Sequence, residues 1–69
     1  MSVDDPNEVW DRLVRGVLGG LCRTEADAEA LRVKLREAGD LGILRAMYSE
    51  GGDATRIGRI LHHLAKEYV

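Results

Sequence analysis

The stretch RIGRILHHLAKEYV places Ile57, Ile60, Leu61, Leu64 and Tyr68 at intervals of three and four, so all five fall on one face of an α-helix. Nowhere does the chain alternate apolar and polar residues as a half-buried strand would, and no segment is rich in β-branched or aromatic residues. Helical periodicity therefore runs throughout. The expected fold class is all-α, a small bundle or orthogonal array of four short helices in a single domain over residues 1–69.

Capping residues give the expected boundaries. A first helix over 6–19 has Asp5 as its cap, Pro6 at its first position and Glu8 where a capping box wants an acid. Its stripe is Trp10, Leu13, Val14, Val17, Leu18 and Leu21. Gly16, Gly19 and Gly20 each cost about 1 kcal/mol against alanine inside a helix. The glycine pair is therefore expected to begin the exit, and Gly16 to let another backbone approach. A second helix over 25–38 opens on Thr24 with Asp27 and closes on Gly39. Ala28, Leu31, Leu35 and Ala38 face inward, with Ala26, Ala30 and Val33 forming a small apolar strip on the opposite side. Asp40 is expected to cap a third helix over 41–50, with Leu41, Leu44, Met47 and Tyr48 inward and Ile43 on the flank. EGGD reads as a turn, and Asp53 caps a fourth helix over 54–68.

The limits on this domain come from its size. Its 69 residues include about two dozen large apolar side chains, from Val3 to Val69, and a single core of that extent is marginal. Cys22 is the lone cysteine, so no disulfide can form within a monomer. That leaves idealised helix packing, or burial of further surface in an oligomer such as a homodimer, as the sources of stability. The start MSVDDPNEVWD lacks the basic and apolar regions of a signal peptide, and no stretch approaches 18 apolar residues. A cytoplasmic location and no membrane partner are expected. The net charge of −2 argues against coating nucleic acid by charge alone. It is unevenly spread: residues 24–53 carry seven acids and four bases, whereas residues 54–69 carry three bases and one acid.

Residues with obvious chemistry do not assemble into a site. His62 and His63 are adjacent and point about 100° apart on a helix, so they cannot chelate one ion together. His63 and Glu67 share a face, but a stable zinc site needs three or four ligands, and HExxH is absent. Cys22 reads as a small apolar residue filling a bundle end. Glu25 and Glu29 share a face, with Arg32 and Arg36 placed to pair with Glu29. No glycine pattern fits a phosphate loop. No enzyme activity, cofactor or metal is expected.

Two surfaces remain. On the last helix Arg59, His62 and Lys66 share the face opposite the apolar stripe, flanked by Arg56 and His63, with Arg12 and Arg15 on the first helix as extensions. The segment LGILRAMYSEGGDATRIGRIL resembles, through ILRAMY, its glycine turn and Ile57, the paired helices preceding the recognition helix of winged-helix regulators. The likeness covers about twenty residues. It departs from a helix-turn-helix at Arg45, Leu35 or Met47, depending on which glycine centres the turn, and no recognition helix or wing follows before Val69. It assigns no family. The expected function is a small non-enzymatic protein-interaction or regulatory module, acting on a larger protein partner or as a homodimer through Ala26, Ala30, Val33 and Ile43. The alternative is a DNA- or RNA-binding regulator using Arg56, Arg59, His62 and Lys66. The third is a structural subunit of a larger assembly.

Overall fold

The computed structural model describes residues 5–69, so Val3 lies outside the described residues. Four helices follow one another: α1 (Pro6–Leu21), α2 (Glu25–Glu37), α3 (Asp40–Ser49) and α4 (Ala54–Lys66). Each packs on the next, α4 returns to pack on α1, and this α1–α4 seam is the most extensive interface of the bundle. Helix α4 also touches α2 across the centre. The fold is all-α, with no strand among the described residues.

Every helix contributes to one core. Val14 and Leu18 come from α1, Leu31 and Leu35 from α2, Leu41 and Leu44 from α3, and Ile57, Leu61 and Ala65 from α4. Among the described residues no polar side chain is buried with them. Helices α1 and α3 meet through Trp10 and Tyr48, whose rings lie 5.8 Å apart and tilted by 34°. Arg45 seals that end: it sits 5.7 Å from the Tyr48 ring centroid, donates to Asn7 Oδ1 at 3.2 Å and donates to Ser49 Oγ.

The caps at Asp5, Thr24 and Asp53 form as the sequence suggests. Thr24 accepts from the Asp27 N–H at 3.1 Å and Asp53 from the Thr55 N–H at 2.9 Å. Asp5 accepts from the Asn7 N–H at 3.0 Å, one residue short of the capping-box partner Glu8. Asp40 does not cap α3. Gly39, at φ +85°, stands in that position with no side-chain bond, and Asp40 is already helical. Gly39 thus closes α2 and opens α3 in one residue, which leaves no room for a separate cap.

Several expectations about α1 and the helix ends are overturned. Helix α1 does not exit at Gly19 but continues to Leu21, because Leu18 is buried and Leu21 packs against the core. Tertiary burial outweighs the glycine propensity cost. Gly16 is not a contact point either, since a Cβ there would meet nothing within 4 Å. The close approach occurs at Gly58, whose Cβ would lie 3.5 Å from Leu13 Cδ1 and 3.8 Å from Val17 Cγ2. Helix α4 ends at Lys66, two residues earlier than expected, so Tyr68 falls in a turn and is 43% exposed. Ala65 takes the buried place instead. Met47 is also largely outside the core at 38% exposure, and Ala38 is exposed in the turn that ends α2. Arg32 does not pair with Glu29. It reaches across to Asp11 Oδ1 at 2.9 Å, while Arg15 holds Asp11 Oδ2 at 3.0 Å. That triad pins α1 to α2, with a contribution limited by solvent exposure.

Candidate functional site

Three surfaces carry the residues singled out above. The first is the outward side of α2. Its face toward the core is fixed by Leu31 and Leu35, which sets Ala26, Ala30 and Val33 away from the bundle. Ala26 and Ala30 are exposed, whereas Val33 is half-buried, so this strip offers less free apolar surface than the pattern suggests.

The second is the flank of α3. Leu41 and Leu44 anchor the helix, and Ile43 is left 64% exposed. Met47 lies one turn further along the same side. The two form an exposed apolar pair on one helix, and the strip on α2 is not needed to make it. Sequence reasoning assigned Met47 to the core. The signal that finds it is the spacing of four from Ile43, which places the two residues together once Leu41, Leu44 and Tyr48 define the buried side.

The third is the outward face of α4. Ile57, Leu61 and Ala65 turn toward the core, so Arg56, Arg59, His62, His63 and Lys66 all face solvent and all are exposed. None of Arg56, Arg59 and Lys66 has an ion pair among the described residues. The Arg56 to Lys66 span is ten residues, or about 15 Å of helix at 1.5 Å per residue. Arg59 and His62 also line a shallow groove of about 560 Å³ between α1 and α4, whose other walls are Gly16, Val17, Gly20, Thr55 and Gly58. On the α1 side its lining is Val17 flanked by two glycines.

A second groove, of about 570 Å³, lies between α1 and α2. Arg15 and Gly19 line it from α1, Cys22 from the link, and Glu25, Ala26 and Glu29 from α2. Cys22 is half-buried and packs against the core, as a small apolar residue does. His63 and Glu67 are both exposed, and among the described residues no three His, Cys, Asp or Glu side chains come together as a metal-binding group. No helix among those described is long and apolar enough to cross a membrane. The structure therefore brings Arg59 and His62 to one groove and Ala26 to another, while Ala30, Val33 and Ile43 line neither.

Comparisons with protein families, with characterised proteins and with solved structures find no match to this chain.

Proposed function

We propose that this domain is a non-enzymatic protein-interaction module that regulates a larger protein partner by occupying part of its surface. The observation that carries this is the exposure of Ile43 at 64%, beside Met47 on the same side of α3, in a domain whose other long aliphatic side chains between Asp5 and Tyr68 are buried or half-buried. An exposed isoleucine is unremarkable alone, but a paired apolar flank gains free energy when covered. Full burial of one such side chain from full exposure contributes about 1.5–3 kcal/mol, and most of that remains available at Ile43.

The test separates docking from folding. Ile43→Glu should leave the urea midpoint almost unchanged, within about 0.5 kcal/mol, because the side chain supports no core contact. The same variant should lose the protein partner that wild type retains after nuclease treatment of a native lysate. Retention of that partner by Ile43→Glu would remove the α3 flank from the proposal.

A second reading, a regulator that binds DNA or RNA, is favoured by the exposed row Arg56, Arg59 and Lys66, which has no ion pair among the described residues. Three phosphate contacts would give a slope of about −2.7 in log affinity against log salt on duplex DNA. Changing all three residues to glutamine should abolish binding. Salt-insensitive binding, or binding that survives the triple change, would reject the α4 face as a phosphate surface.

A further inference from the structure

The grooves on the two sides of α1 differ in charge. The α1–α2 groove carries both signs, with Arg15, Arg23 and Arg32 beside Glu25 and Glu29. No acid lines the α1–α4 groove, where Arg59 and His62 are the groups able to carry charge. Asp53 and Glu67, the acids at the two ends of α4, lie outside its lining.

The α4 wall of this groove is a row of donors. Thr55, Arg59 and His62 follow at intervals of four and three, and Lys66 continues the series four residues on. That spacing puts all four on one side of the helix, along about 16 Å of its length. All four are exposed, and neither Arg59 nor Lys66 has an ion pair among the described residues. Each offers a hydrogen: from a hydroxyl, a guanidinium, an imidazole in either tautomer and an ammonium. Across the groove stands Val17 between Gly16 and Gly20, so no acid on that wall competes for these donors. One turn before Gly16 on the same side of α1, Arg12 is also exposed, with no ion pair among the described residues.

We infer that this groove holds the sugar–phosphate backbone of one strand of duplex DNA, with Thr55, Arg59, His62 and Lys66 donating to its phosphates. It rests on the second reading above and gives the strand a path across the domain. The row is long enough to follow several consecutive phosphates of one strand. No aromatic side chain lines the groove, so it makes phosphate contacts and offers unpaired bases no stacking platform, which favours a duplex. With its side chains an α-helix is about 10–12 Å across, close to the width of about 12 Å of the B-form major groove. Helix α4 can therefore stand in that groove beside the strand it holds, whereas the major groove of an RNA duplex is too narrow.

Fluorescence anisotropy with a DNA duplex of about 20 base pairs tests it, at about 0.1 M salt, where the Debye length is about 10 Å. Two adjacent glycines supply the discriminating pair, because Gly20 lines the α1–α4 groove and Gly19 the α1–α2 groove. Gly20→Glu puts an acid in the path of the strand and should weaken binding about tenfold, whereas Gly20→Lys should tighten it several-fold. The same two changes at Gly19 should move it by less than about threefold. A Cβ at either position meets nothing within 4 Å, so all four variants should stay folded by far-UV circular dichroism. Equal responses at Gly19 and Gly20 would overturn the groove alone, leaving the broader reading to the Arg56, Arg59 and Lys66 triple change. Wild type that binds no duplex removes both, and binding of polyglutamate instead would give the α4 row to an acidic protein. An RNA duplex or a single strand bound as tightly as the DNA duplex would overturn the choice of ligand.

Discussion

Leu61→Ala should leave the domain largely unfolded under conditions where wild type is folded. Leu61 is fully buried in the middle of α4, the helix that contacts all three others. Truncation removes its transfer free energy and leaves a void that three separately anchored helices cannot all close. Changes of this kind cost about 2–5 kcal/mol. A single core of this size supplies only about 3–5 kcal/mol in total. The two ranges overlap, and a fully buried site at the centre of the bundle falls toward the upper end of the first, so the loss takes most or all of the stability. Far-UV circular dichroism against urea reads the result directly. Leu61→Met, which nearly conserves volume, should stay within about 1.5 kcal/mol of wild type and separates lost volume from lost shape. A midpoint for Leu61→Ala displaced by less than about 1 kcal/mol would mean that α4 is not the keystone described here.

Gly52→Ala should be nearly as damaging, for a different reason. The Gly52 N–H donates to the Met47 carbonyl at 3.0 Å, closing the turn between α3 and α4. A Cβ on Gly52 would stand 2.6 Å from that same oxygen and 2.8 Å from Ile57 Cδ1. Neither neighbour can give cheaply. The first is backbone held by the turn, and the second is a core side chain with 1% exposure. Either the turn opens and its hydrogen bond is lost, at about 0.5–1.5 kcal/mol, or Ile57 shifts within a filled core, at about 1–3 kcal/mol. A combined loss of about 2–4 kcal/mol is expected in the same urea titration. Gly51, at φ +90°, is strained by substitution only through its own backbone and should cost about 1–2 kcal/mol. A milder effect at Gly52 than at Gly51 would show that the α3–α4 turn yields to the added methyl.

The contrast between these glycines shows where the sequence is legible. Caps and stripes locate the four helices, because Asp5, Thr24 and Asp53 act through bonds to residues two or three positions away. The role of each glycine depends on what lies opposite it in space. Gly16 and Gly58 look alike in sequence, yet one faces nothing and the other faces Leu13 and Val17. Met47 and Tyr68 depend on their surroundings in the same way: Met47 falls on the flank of α3 with Ile43 once Leu41 and Leu44 define the buried side, and Tyr68 lies past the end of α4. For the candidate surfaces, periodicity was enough to put Arg56, Arg59, His62 and Lys66 on one exposed side of α4. It could not show that Gly16, Val17 and Gly20 of α1 lie beside Arg59 and His62, because that groove joins residues some forty positions apart. Nor could it show that Arg32 leaves its own helix for Asp11.

The seam between the first and last helices also bears on how the chain acquires its fold. Helices α2 and α3, joined through Ala38 and Gly39, can associate as soon as both exist. Docking α1 on α4 instead closes a loop of about thirty residues, whose ends meet at an entropy cost of about 3 kcal/mol. During synthesis at about 5–20 residues per second, α1 waits several seconds for α4 to be made. Over that interval its stripe of Trp10, Leu13, Val14 and Val17 has no partner on the α4 side. A strong helix former in this position would display the stripe as a ready-made sticky rod. Three glycines in sixteen residues make α1 a poor helix on its own, so the stripe stays dispersed until α4 arrives to organise it.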